Sequence, residues 1–227
     1  VEVRLLIVPH AGYVYSGPVA ATAYRLLQTT DGLHGVVVVG PSHYVGLAGL
    51  ATAGVDGFAT PMGVVPVDAG LSTIAGSRAA VASNPAAHAP EHSIEVQLPF
   101  LQAVLKQFTL LALLTGNTQP ETVAEVLGDL TGQDGVLVVI SSDLSHYLGY
   151  EAARRRDERT ARAIVARRPD HLGEGDACGL IGVQAALLLA RRHGWECSRL
   201  DLRSSGDTAG GRDTVVGYGA FVIGPTR

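Results

Sequence analysis

Leu5-Leu6-Ile7-Val8-Pro9-His10-Ala11-Gly12-Tyr13 runs from four apolar residues into a proline, a histidine and small residues, and a helical pattern begins near Pro18. An apolar run bounded in this way reads as a buried strand that delivers a histidine to a strand-to-helix loop. The arrangement recurs twice. Val36-Val37-Val38-Val39 leads into Gly40-Pro41-Ser42-His43-Tyr44, and Val136-Leu137-Val138-Val139-Ile140 leads into Ser141-Ser142-Asp143-Leu144-Ser145-His146-Tyr147. Three such strands would bring their histidines to one sheet edge, where α/β folds carry their chemistry.

Outward from these strands, helical and extended periods alternate without a linker or repeat. Residues 18–28 have a helical period, with Pro18 at a tolerated first-turn position. Residues 47–70, rich in Gly and Thr, suit short edge strands or an excursion beside the sheet. A short helix follows to about Arg78, and residues 84–90 read as a loop. Ile94, Leu98, Leu101 and Leu105 recur at helical spacing, but Pro99 must kink or split that helix. Strands are expected at 110–114, 198–202 and 215–223, and helices at 120–130, 151–167 and 180–192. The pattern predicts one α/β domain over residues 1–227, with a mostly parallel or mixed central sheet and helices on both faces. Val1 stands only a few residues before the first strand, so residues upstream of it are an expectation.

Composition bounds the function. In 227 residues, 47% are hydrophobic and 17% charged, which suits a helix-covered sheet and argues against disorder. The net charge of −4 gives no basic footprint for nucleic acid or an anionic membrane. Arg154-Arg155-Arg156 and the arginines after it alternate with Glu151, Asp157 and Glu158, as on a solvated helix face. Two cysteines, Cys178 and Cys197, imply no disulfide framework and favour a reducing compartment. No apolar stretch approaches the ~20 residues that span a bilayer, so the chain is expected in the cytoplasm. The absence of G-x-G-x-x-G, of a P-loop and of G-x-S-x-G argues against nicotinamide, ATP and serine-hydrolase chemistry.

Position separates the eight histidines. His10, His43 and His146 follow buried strands, and His92 precedes a helix, whereas His34, His88, His171 and His193 read as surface residues. Imidazole is the commonest metal ligand, so parallel strand-end histidines suggest a metal site. Cys178, directly before the last apolar helix, is the best further ligand, since a helix N-terminus lowers a thiol pKa. The alternative is a small buried packing residue, which is also the expectation for Cys197.

Pro9-His10-Ala11-Gly12-Tyr13, Gly40-Pro41-Ser42-His43, Glu91-His92-Ser93-Ile94-Glu95-Val96-Gln97-Leu98-Pro99, Ser141-Ser142-Asp143-Leu144-Ser145-His146 and Cys178-Gly179 together resemble the Memo family. Its prokaryotic members are labelled AmmeMemoRadiSam system protein B. The resemblance implies a fold similar to class III extradiol ring-cleaving dioxygenases, with one metal ion held by His10, His43 and Cys178. It implies that His146 is the pocket acid/base, oriented by Ser142, Asp143 or a backbone carbonyl, and that His92 lines the pocket. Tyr13, Ser42 and Ser142, in the same motifs, are the candidate substrate contacts. The dioxygenases complete their site with a carboxylate where this chain offers Cys178, a softer and oxidisable donor. Ser16 stands where other members carry a cysteine after the tyrosine, and the family pattern normally begins with a short segment before the first strand. Two His and one Cys leave a coordination position open, which is a catalytic layout. The expected function is a metal-binding redox enzyme, iron favoured and copper or zinc possible, acting on a small molecule or peptide. A metal-assisted hydrolase or lyase and a non-enzymatic peptide-binding scaffold are the alternatives. The family label also suggests radical-SAM and AMMECR-type proteins as pathway partners.

Overall fold

Every residue of the second strand is buried, on both faces of a sheet that runs through the whole molecule. The computed structural model describes residues 2–226. In chain order its elements are β1 (Leu5–Val8), α1 (Tyr13–Tyr24), β2 (Gly35–Pro41), β3 (Leu50–Thr52), β4 (Gly57–Thr60), β5 (Gly63–Pro66), α2 (Ala69–Gly76), β6 (Val81–Ser83), α3 (Pro85–His88), α4 (Leu98–Val104), β7 (Thr109–Thr115), α5 (Pro120–Thr131), β8 (Val136–Ser141), β9 (His146–Leu148), α6 (Tyr150–Val165), α7 (Leu180–His193), β10 (Glu196–Ser204) and β11 (Val215–Gly224).

The main sheet has the order β10-β11-β1-β8-β2-β7-β3-β6, with β9 joined to β11 and a separate β4–β5 hairpin. Strands β1, β8, β2 and β7 are mutually parallel, while β11 and β3 run antiparallel to their neighbours β1 and β7. The sheet is therefore mixed. Alternate side chains feed two cores: Leu5, Ile7, Val37 and Val39 pack with α5 and α7, and Leu6, Val8, Val36 and Val38 pack with α1 and α4. A strand covered on both faces reads as a continuous apolar run, which is why these strands were visible in the sequence.

Register sets the site. Val8 pairs with Ser141 and Val39 with Ile140, so the chain leaves β1, β2 and β8 at one edge. Gly40 is required there, because a Cβ would collide with the Ser93 side chain. Pro99 splits the expected 94–105 helix into a 3-10 turn (Glu95–Gln97) and α4, where it occupies a first-turn position.

Several local expectations are corrected. Pro18 lies well inside α1, which starts at Tyr13 behind Gly12. It removes the helical partner of the carbonyl of exposed Val14. Residues 85–88 form a short helix, because Asn84 accepts from the Ala87 N–H and Pro85 fits the first turn. His88 is half-buried, with Nε2 2.9 Å from the Ala51 carbonyl, and burial lowers its pKa. Strands β6 and β9 are too short to have a sequence period. Among the described residues no helix is long and apolar enough to cross a membrane.

Candidate metal centre

His10 follows β1, His43 follows β2, and His92 belongs to the segment that packs across their ends. Among the described residues, these three form the one group of metal-ligating side chains whose donor atoms all lie within 4.8 Å of one another. The rings of His43 and His92 stack with centroids 5.2 Å apart, and His10 stands edge-on to both. The three imidazoles are therefore positioned to bind a metal ion.

Each ring is held from behind. The His43 Nδ1 lies 2.9 Å from Glu91 Oε1, and the His43 backbone N–H donates to Glu91 Oε2 at 2.6 Å. Burial raises the Glu91 pKa, but hydrogen bonds from His43 and the Ser93 N–H outweigh it and hold the carboxyl down at about 2. An ionised carboxylate only accepts, so the His43 Nδ1 carries the proton and its Nε2 is left for a metal. His92 turns Nδ1 toward Glu91 Oε1 at 3.5 Å and the Tyr44 hydroxyl at 3.4 Å. His10 is 2% exposed, and its Nδ1 lies 2.9 Å from Ser141 Oγ. Burial lowers its pKa to about 4, with the neighbouring His43 and His92 adding to the effect and Asp143 opposing it. A neutral imidazole is the form that ligates metal.

Cys178 lies beside His10, with Sγ 3.3 Å from His10 Nε2, but it is outside the trio. The backbone of Gly179 lies against Ser141 and Ser142, and the Ser142 hydroxyl accepts from the Gly179 N–H. The expectation of a lowered thiol pKa is corrected. Cys178 precedes α7 by two residues, and burial, reinforced by the Asp143 charge, pushes its thiol up to about 12. The hydrogen bonds it accepts, including one from the Asp143 N–H at 3.2 Å, do not offset this.

The other candidates divide by environment. His146 opens β9, and its Nδ1 is 2.9 Å from the Leu144 carbonyl, so a backbone carbonyl orients it rather than Asp143 or Ser142. Asp143 instead accepts from the backbone N–H groups of His10 and Ala11. Ser142 is fully buried and donates to the Asp143 carbonyl, while Ser42 donates to the Val45 carbonyl. Both hydroxyls are thus committed to the backbone. Tyr13 is half-exposed, with its hydroxyl 3.4 Å from the Val96 carbonyl. The part of His92 as a third imidazole, and of Gln97 and Ser141 behind His10, emerges only in the fold. Glu91-His92 offered one signal, a carboxylate adjacent to an imidazole.

The family model described as Memo-like protein matches residues 1–222. MEMO1 family protein SSO0066 of Saccharolobus solfataricus is 36% identical over 96% of this chain and 82% of its own length. MEMO1 family protein Mbar_A1422 of Methanosarcina barkeri is 35% identical over 95% of this chain and 84% of its own length. Among solved structures, uncharacterized protein JW3007 from Escherichia coli K12 shares the fold, with TM-score 0.60 and 14% identity, over 97% of this chain and 99% of that one. With a family model matching nearly its whole length and relatives more than one-third identical, the chain belongs to the Memo family.

Proposed function

We propose that this protein is a metal-dependent enzyme of oxidoreductase type, acting on a small molecule or peptide at the His10–His43–His92 centre. The observation that carries the reading is the convergence of three imidazoles, two of them with Nδ1 held by an acceptor, beside a thiol. Nitrogen donors with a nearby sulfur suit iron, copper or zinc and disfavour magnesium or calcium. Iron is the favoured ion, and it would supply redox chemistry and an electrophilic centre for a substrate oxygen.

The protein's own groups have distinct parts in this reading. His10 and His43 are ligands, and His92 and Cys178 are the two further donors within reach. His92 is the more open of these, at 43% side-chain exposure, so it is the donor that an incoming substrate can displace. His146, with Nδ1–H given to the Leu144 carbonyl, keeps Nε2 free to take a proton. Tyr44, with its hydroxyl 3.4 Å from His92 Nδ1, and Tyr13 are both exposed and would orient substrate. A reducing cytoplasmic compartment, shared with radical-SAM and AMMECR-type pathway proteins, would keep Cys178 as a thiol.

The test is metal analysis of protein purified anaerobically without added metal, followed by oxygen-uptake assays on candidate substrates. One equivalent of iron and substrate-dependent oxygen uptake are expected. Zinc alone without oxygen uptake would favour the hydrolase or lyase reading, and failure to bind any transition metal would leave a scaffold.

A further inference from the structure

Behind His10 lies a buried polar chain that the metal reading does not by itself require. Tyr24, on α1, donates its hydroxyl to Gln97 Oε1 at 2.8 Å. The Gln97 amide nitrogen donates to the Pro9 carbonyl at 3.0 Å and to Ser141 Oγ at 2.7 Å. The Ser141 hydroxyl donates to the Ser93 carbonyl at 2.5 Å and lies 2.9 Å from His10 Nδ1. Tyr24, Gln97, Ser93 and Ser141 are all at most 1% exposed.

We propose that Ser141 is a positioning residue that holds His10 as its Nδ1–H tautomer and so keeps the Nε2 lone pair available to a metal, with Gln97 and the Ser93 carbonyl setting the polarity of that serine. The inference rests on the metal reading for its consequence, though not for its geometry.

Proton counting leads to it. The Pro9 and Ser93 carbonyls can only accept. Reversing the Gln97 amide would set its oxygen against the Pro9 oxygen, so the nitrogen must face Pro9 and Ser141. Ser141 has one hydroxyl proton, and at 2.5 Å the Ser93 carbonyl must receive it. Its two lone pairs then accept from Gln97 and from His10, and only a protonated Nδ1 can serve the second. No side-chain polar atom from Tyr24 through Gln97 to Ser141 is left without a partner, a condition under which buried networks specify one arrangement. Free histidine in water favours the opposite, Nε2–H tautomer, so the protein works against an intrinsic preference here. The same short segment also serves the other rings. Glu91 holds His43, His92 is itself a member of the trio, and the Ser93 carbonyl acts on His10 through Ser141.

Nitrogen–proton correlation spectra of metal-free protein, labelled with 15N in its histidine rings and with His10 assigned by His10→Gln, read the tautomer directly. The expected result is a protonated Nδ1 and a bare Nε2. In Ser141→Ala the Nε2–H form should appear, and Zn²⁺ affinity measured by chelator competition should fall by about 10- to 100-fold, as for other loss of ligand-orienting partners. Ser141→Thr, which keeps the hydroxyl, should retain the wild-type tautomer. A purely structural serine would change stability and leave the tautomer alone. A wild-type spectrum with the proton on Nε2 overturns the proposal, as does a folded Ser141→Ala protein with unchanged tautomer and affinity. If Ser141→Ala does not fold, the wild-type spectrum decides. Wild-type protein that shows the Nδ1–H form but binds no metal would support the positioning claim and overturn the metal reading alone.

Discussion

Two buried polar clusters lie behind His10 and His146, and they are built differently. Behind His10, each side-chain donor and acceptor from Tyr24 through Gln97 to Ser141 has a protein partner. Behind His146, the Thr160 hydroxyl is buried without a protein partner, and burial raises the pKa of Asp157, which is 3% exposed and accepts from the Ser145 N–H. A satisfied network holds one geometry, whereas an incomplete one costs stability. The contrast matches the parts assigned to the two histidines. A metal ligand gains from a fixed ring, and a proton carrier must stay free to exchange its partner.

The largest effects should break the contrast at the rings themselves. His10→Ala and His43→Ala should each abolish stoichiometric metal binding, while His146→Ala should leave metal content unchanged and remove turnover by about 10² to 10⁴-fold. Metal analysis beside an activity assay distinguishes them. Loss of metal in His146→Ala would make that residue a ligand. A smaller effect is expected one bond further out. Glu91→Gln replaces an acceptor of three N–H groups with an amide that must turn a donor toward one of them. Metal affinity should fall by about 10- to 100-fold with the fold retained, as read by titration and by circular dichroism.

The histidines at the sheet edge are more legible in the sequence than the groups that support them, and for a physical reason. Strands β1, β2 and β8 are buried on both faces, so their apolar runs and the residues after them stand out in the sequence. His10 and His43 were found by that route. The proximity of His92 to them depends on how the segment after Pro90 crosses the sheet edge, which no local period encodes. Ser141 and Gln97 carry no local signal of their part, and only tertiary pairing gives them a task. Cys178 departs from its sequence expectation in its electrostatics. Its nearness to α7 was visible, but the burial and the Asp143 charge that outweigh the helix terminus were not.

On the incomplete side, a change to Asp157 tests whether the cluster is a cost to the fold. Asp157 accepts the Ser145 N–H at 3.0 Å, and an asparagine oxygen can keep that bond while removing the charge. Burial raises its folded pKa above the reference 3.8, so the folded state holds the proton more tightly than the unfolded chain. Stability from this group is therefore fully present below 3.8 and is lost as pH rises through the folded value. Asp157→Asn should be more stable than wild type at pH 7, and the gap should close as pH falls toward 3.8. Urea melts across that range would show it, and a variant less stable than wild type at pH 7 would mean that the charge has a compensating partner.

The smallest effect is expected from Thr160→Val, which removes one hydroxyl at nearly constant volume. Thr160 sits on α6, 1% exposed, and its Oγ1 has no protein partner. Valine keeps the shape and deletes the unsatisfied group, and such a replacement is nearly neutral or stabilising. The β-branched pattern is unchanged, so helix propensity should shift little. The expected gain is about 1 kcal/mol or less in urea unfolding. A loss of more than about 1 kcal/mol would show that a bound water satisfies the hydroxyl. In that case the cluster behind His146 is as complete as the one behind His10, and the contrast between a fixed ligand and a mobile proton carrier would have to rest on the rings alone.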